Sequence, residues 1–318
     1  MSLRITPLTD PERTSSARRL VWLASDAEGV PVGSAFLRLF TRPGQNHLAE
    51  LDVRVHPAER GRGAGALLLD AAVTAARDDG RRSVVAQAEQ GSPGDRFLAA
   101  HGFRAVMALT IARLPLTAVD PAVITAIAGE DRPGYRLVSW HGTVPDHLAK
   151  TFAASRRAMD DMPMGETDYG TVTWDVDRVR AVAEAVARRG DLLHTVAAVV
   201  DASGSGGEES GAGESGEGGG SGDGHGSIAG FTELVVPGDG GGDGLHYGTG
   251  VLPEHRGRGL GRWMKAASIR DARARHPGLA GLVTDTADDN LPMRAINEAL
   301  GYVPTHHTVE YQRDLTRP

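Results

Sequence analysis

One eleven-residue pattern occurs twice in this chain, with seven of its positions identical. Val55-His56-Pro57-Ala58-Glu59-Arg60-Gly61-Arg62-Gly63-Ala64-Gly65 aligns without a gap with Val251-Leu252-Pro253-Glu254-His255-Arg256-Gly257-Arg258-Gly259-Leu260-Gly261, at one constant offset. Each copy follows a strand-like run and precedes an amphipathic helical run, so the chain has to fold as two strand–turn–helix units of one kind. In the second copy Pro253 brings no N–H to a ladder and ends the strand, while Gly257, Gly259 and Gly261 let the backbone turn with no Cβ in the way. The helix that follows, from about Leu260 to Ala274, then aims its unpaired N–H groups and positive dipole end at whatever lies over the loop. A phosphate or diphosphate suits that position.

The spacing is neither the Walker loop, which needs Gly-x-x-x-x-Gly-Lys-[Ser/Thr], nor the dinucleotide fingerprint Gly-x-Gly-x-x-Gly, which disfavours nucleotide hydrolysis and hydride transfer. The pattern Val-x-Pro-x-x-Arg-x-x-Gly-x-Gly, with a strand before and a helix after, resembles motif A of the GNAT superfamily, the GCN5-related N-acetyltransferases. Residues 288–302 resemble the family's motif B, with Asn290 and Gly301-Tyr302 in register. The resemblance covers nearly the whole second half and most of the first. It implies an α/β fold of the α+β mixed-sheet kind: two tandem GNAT folds, each a mostly antiparallel mixed sheet flanked by helices.

The resemblance also implies acetyl-CoA as acyl donor, its pyrophosphate held by the loop amides and its pantetheine arm by the preceding strand. In the second unit that assigns Val251, Arg256, Gly257, Arg258, Gly259, Leu260, Gly261 and Asn290 to the cofactor, and in the first Val55, Arg60, Gly61, Arg62, Gly63, Ala64 and Gly65. The expected organisation is a first domain at 1–117, a linking helix within 118–133 and a second domain at 134–318. Pro145–Asp160 and Trp174–Arg189 read as the two helices that cover the family's acceptor pocket. The first unit has room for only one stubby helix there, so it is expected to be degenerate and the second catalytic. The tract 202–226, rich in glycine, serine and acids, reads as a disordered hairpin tip.

Composition narrows the chemistry further. The 318 residues contain no cysteine, which removes disulfides, thiolate metal sites and cysteine nucleophiles, so the acyl group moves directly or through another residue. A net charge of −7 argues against a nucleic-acid partner. No apolar run of membrane-spanning length and no secretory pattern is visible, so a cytoplasmic location is expected. No metal site is expected, since adjacent His306 and His307 would face opposite sides of a strand.

Amine acylation needs a base, an oxyanion donor and a proton or its equivalent for the thiolate. The oxyanion donor falls on an amide near Val251. His246, ten residues before Arg256 where several family members place a glutamate base, and Glu233, a carboxylate in an apolar strand, are the base candidates. Each can equally be an ordinary strand residue. At the family's tyrosine acid position stands Asn297, which cannot act as an acid, leaving Tyr247, a water or unaided departure. Asp160, Asp161 and Glu166 are candidates to bind a cationic amine. The expected function is acetyl transfer to a small-molecule primary amine by a monomer with an internal pseudo-dimer. The alternatives are a non-catalytic acyl-CoA-binding module and a protein or peptide N-acetyltransferase.

Overall fold

The computed structural model describes residues 2–9, 17–170, 172–201 and 226–316. In chain order the strands and helices of the first half are β1 Arg4–Leu8, β2 Ala17–Ser25, β3 Pro31–Phe40, β4 Leu48–Val55, α1 Ala64–Asp78, β5 Ser83–Glu89, α2 Pro93–Ala100 and β6 Arg104–Pro115. There follow α3 Pro121–Ala128, β7 Tyr135–His141, α4 Asp146–Ser155, a 3-10 turn Arg156–Met159, α5 Val176–Arg188, β8 Leu192–Val200 and β9 Ile228–Val236. The chain ends with β10 Gly242–Val251, α6 Leu260–Arg275, β11 Leu279–Ala287, α7 Leu291–Ala299 and β12 Val303–Asp314. The stubby helix expected after β1 and the Gly-rich tract, apart from Gly226, fall outside the described residues.

Two compact units form: unit 1 is Met1–Thr110, Pro163–Thr173 and His306–Pro318, and unit 2 is Ile111–Met162 and Trp174–Thr305. Neither unit is continuous in sequence. The contiguous division at 117 and 134 differs from this partition because strands and loops from one half of the chain complete the sheet core of the other. In unit 1, β1 to β4 are antiparallel neighbours, β4 and β5 run parallel, and the last strand pairs antiparallel with β5 from Thr308↔Glu89 to Asp314↔Ser83. In unit 2, β7 to β10 are antiparallel neighbours, β10 and β11 run parallel, and the end of β6 lies beside β11, where the Leu116 N–H donates to Ala280 O.

Alternation along the strands builds the cores. In unit 1 Ala49, Leu51 and Val53 of β4, Val84 and Ala86 of β5, and Val309 and Tyr311 of β12 meet Leu68, Leu69, Ala72 and Val73 of α1. In unit 2 one face meets α6 through Val196, Ala198, Leu234 and Met264, and the other meets α4 through Trp140, Phe152 and Phe231. The linking helix α3 belongs to unit 2: Asp120 caps it by accepting from Ala122 N at 2.8 Å, and Ile124 and Ala128 enter the α6 core. The first of the two expected covering helices stops at Ser155, where the backbone tightens to the 3-10 turn. The second is capped by Asp175, which accepts from Arg178 N at 2.7 Å. β10 already begins at Gly242, which pairs with Leu279 of β11.

Candidate functional site

Both glycine loops fold alike. After β10 a 3-10 turn over Pro253–His255 leads to Gly257 and Gly259, both left-handed with φ of 75° and 74°, and α6 starts with no side-chain cap. After β4 the same turn, Pro57–Glu59, leads to Gly61 and Gly63 with φ of 76° and 91° and an uncapped α1. Positive φ at these positions is the backbone reason for glycine. The loop arginine closes each turn on its own strand: Arg256 Nε donates to Val251 O at 2.9 Å, and Arg60 Nε to Val55 O at 3.2 Å. The third glycine serves packing, since a Cβ on Gly261 would lie 3.2 Å from Ile296 and one on Gly65 3.2 Å from Phe97.

Behind each loop the central parallel strands separate. The β10–β11 register ends at Leu245↔Val283 and the β4–β5 register at Leu51↔Ala86. N–H groups alternate sides along a strand. The Leu252 N–H bonds to Ala229 O and the His56 N–H to Val32 O, so Thr249 and Val251 in unit 2, and Val53 and Val55 in unit 1, turn their amides into the gap. A gap lined by free amides and closed at one end by an uncapped helix start can hold an extended polar chain ending in a diphosphate, with a carbonyl oxygen on a strand amide.

The two sites differ in their surroundings. In unit 2 the β9–β10 register shifts between His246 and Gly248, so Tyr247 is an extra residue, and it is 60% exposed. Unit 1 pairs β3 with β4 regularly from Gly33↔Val55 to Leu39↔Ala49. In unit 2 the Arg132 guanidinium lies over Gly259, where a Cβ would be 2.9 Å from its Nη1, and Arg132 Nη1 donates to Arg258 O at 3.3 Å. Arg132 also pairs with Glu130, which reaches Arg262 at 3.3 Å, and Arg258 Nη1 donates to the Tyr135 hydroxyl at 2.7 Å. Gly61 and Gly63 of unit 1 have nothing within 4 Å of a would-be Cβ.

Of the candidate catalytic side chains of unit 2, Tyr247 is exposed and the other three are engaged within the fold. His246 is buried on the α6 face, Nδ1 bonded to the Tyr302 hydroxyl and Nε2 to Ser268 Oγ at 3.2 Å. Burial first, then Lys265, holds its imidazole well below the ordinary range, so it stays neutral with both nitrogens occupied. Glu233 is 1% exposed and forked to Arg156 at 2.8 and 2.5 Å. That guanidinium lies 4.5–4.7 Å from the ring centres of Phe231, Phe152 and Trp174, a buried pair in an aromatic cage. Asn297 accepts from Lys265 Nζ at 2.7 Å and donates to Thr286 Oγ1 at 3.0 Å. Lys265 is fully buried, and desolvation pushes it down to about 7.

The acceptor candidates are not brought together. Asp161 forks onto Arg256 at 2.5 and 2.6 Å, which holds its carboxyl below the usual range, so this acid orders the loop arginine. Glu166 pairs with Arg104 in unit 1, and Asp160 is exposed. Asn290 caps α7, accepting from Met293 N at 3.2 Å. Sequence reading missed Arg156, Arg132 and Lys265. Lys265 had a visible signal: at the duplication offset it replaces Leu69, a core residue, inside an apolar stretch. Among the described residues no group of three or more His, Cys, Asp or Glu is placed to hold a metal, and no helix is long and apolar enough to cross a membrane.

A mixed sheet split at its central parallel pair, with an uncapped helix closing the split, is a fold for acyl-CoA-dependent transfer. The model of the acetyltransferase (GNAT) family matches residues 5–103 and 218–302, and the chain belongs to that family. Its fold is similar over its whole length to that of a tandem GNAT protein from the clavulanic acid biosynthesis pathway, with 23% identity, a TM-score of 0.75 and 99% of each chain covered. A GCN5-related N-acetyltransferase from Sphaerobacter thermophilus matches at 16% identity and a TM-score of 0.63 over 94% of this chain and 81% of its own. Another from Kribbella flavida matches at 16% and 0.52, over 94% and 90%. None of the curated proteins compared matches the chain.

Proposed function

We propose that this chain transfers acetyl from acetyl-CoA to a primary amine of a small molecule, by direct attack of the amine on the thioester. The observation that carries the reading is the pair of gaps, each lined by two strand amides and closed by a left-handed glycine and an uncapped helix. In the reaction the amine lone pair forms the C–N bond and the carbonyl electrons move to oxygen under a strand amide. The C–S bond then breaks, its electron pair leaves on sulfur, and the proton lost by nitrogen balances the thiolate. The absence of cysteine supports direct attack over a thioester on the protein.

The alternative of a non-catalytic acyl-CoA-binding module is favoured for unit 2 by one observation: His246, Glu233 and Asn297 all have their polar atoms engaged within the fold. Titration calorimetry with acetyl-CoA and thiol release with a panel of amines test the proposal. Binding by the wild type, weakened at one loop by Gly63→Glu and at the other by Gly259→Glu, is expected, because each change puts a side chain and a negative charge where a diphosphate sits. No binding of CoA or acetyl-CoA at millimolar concentration would refute the proposal.

A further inference from the structure

The face of the unit 1 sheet opposite α1 carries several acids. Because Ala49, Leu51 and Val53 pack toward α1, Glu50, Asp52 and Arg54 stand on the other face. The last strand alternates likewise, with Val309 and Tyr311 in the core and Thr308, Glu310 and Gln312 opposite. Glu310 pairs across from Gln87, and Glu50 across from Val85, so the two acids flank β5 on one face. The last β4–β5 pair is Leu51↔Ala86, which puts Glu310 level with the first β5 residue beyond the separation and one strand spacing, about 4.8 Å, from β5, the strand that borders the gap. It is only 6% exposed, and no cation among the described residues pairs with it. Its carboxylate oxygens keep a narrow opening to solvent rather than being sealed in the fold, and an acid held in so little water beside a gap built for an acyl thioester needs a reason.

Resting on the acyl-transfer reading, we infer that unit 1 is itself a transfer site and that Glu310, delivered by the last strand of the chain, is the general base for its acceptor amine. The acceptor's ammonium first releases one proton to solvent, which frees its lone pair, and the Glu310 carboxylate takes a second proton from the attacking nitrogen as the C–N bond forms. When the C–S bond breaks, that proton passes to the sulfur, which leaves as the free thiol, and Glu310 is again a carboxylate. Desolvation, and then the charge of Glu50, push the Glu310 carboxyl up to about 7, where protonated and ionised forms coexist at neutral pH. The other charged groups around this face include Glu50 with Arg38, Asp52 with Arg54, Glu89, Asp168 beside His47, and Arg104 with Glu166. Acids outnumber the arginines, so the acceptor class is a cationic primary amine, and the open loop at Gly61 and Gly63 receives the acyl-CoA.

The test uses the full chain, acetyl-CoA and an amine on which the wild type turns over. Glu310→Gln keeps the shape and should leave acetyl-CoA binding by calorimetry within about two-fold while lowering kcat by roughly 100-fold or more. The acidic limb of the pH–rate profile near neutrality should disappear with it. Glu310→Asp, folded by the same thermal midpoint, should keep the limb and recover part of the rate. Wild-type kcat and an unchanged pH profile in Glu310→Gln would overturn the assignment alone. A fall in acetyl-CoA binding as large as the fall in kcat would likewise overturn it, because the role would then be structural. No thiol release by the wild type with any amine would sink the acyltransferase reading itself, a result distinct from either.

Discussion

At the residue scale, the clearest departure of one unit from the other is a polar pair in a core. At the positions where unit 2 holds Lys265 and Asn297, unit 1 holds Leu69 and Leu98, both buried. The lysine stays because Asn297 accepts from its ammonium and the Tyr302 ring lies 4.9 Å from Nζ, yet burial still lowers it to about 7. Between about 7 and its ordinary 10.5 the unfolded chain keeps a proton that the folded chain has released. Stability therefore rises with pH through that window and is flat below it with respect to this group. Lys265→Leu should abolish that rise but leave the Asn297 carbonyl oxygen unpaired, at a cost of about 1–3 kcal/mol. Lys265→Leu with Asn297→Leu, which installs the unit 1 pair, should be more stable than the single variant by about that amount. Denaturant midpoints at pH 7 and pH 9 check this, and strictly additive effects would contradict it.

At the element scale, one extra residue separates what residue counting gives in the loop from what it gives in the strand before it. The loop was legible because its glycines, proline and arginine are fixed by local backbone geometry and occur twice. His246 and Glu50 lie equally far, ten residues, before their loop arginines. Tyr247 bulges out of β10, so His246 corresponds structurally to Leu51 and turns toward α6, while Glu50 stays on the opposite face. A slip of one residue flips every side chain of a strand, and a bulge is invisible to residue counting. Deleting Tyr247 should restore the regular ladder of unit 1 and cost about 1 kcal/mol, the ordinary size of a single change. Deleting Thr232, inside the stretch of β9 from Gly230 to Val236 that pairs regularly with β8, would throw Phe231 or Leu234, both fully buried, to the wrong face, at about 3–5 kcal/mol. Equal losses in the two deletions, read from thermal midpoints, would show that Tyr247 is part of the ladder.

At the scale of the whole chain, the duplication announces two units but not which strands each contains. Parallel pairing of β4 with β5 and of β10 with β11 follows from strand–loop–helix–strand order, which the sequence shows. The partner of β5 is a choice among antiparallel strands of similar pattern. Nothing local to 306–316 tells it from a strand of the second unit. The structure gives that place to the last strand, with Val309, Tyr311 and Leu315 buried in the unit 1 core and the Tyr311 hydroxyl bonded to Asp95. A chain ending at Thr305 therefore loses three core side chains and the strand that lies between β5 and β6 in the unit 1 sheet. At about 2–5 kcal/mol for each large buried side chain removed, the loss is comparable to the 5–15 kcal/mol that holds a typical domain. Amide exchange should then show β2 to β5 deprotected while α6, β8 and β9 keep their protection, and a peptide spanning residues 303–316 added in trans should restore the first set. Full protection of β2 to β5 in the shortened chain would mean that unit 1 closes its sheet without the last strand, and Glu310 could then have no part in its chemistry.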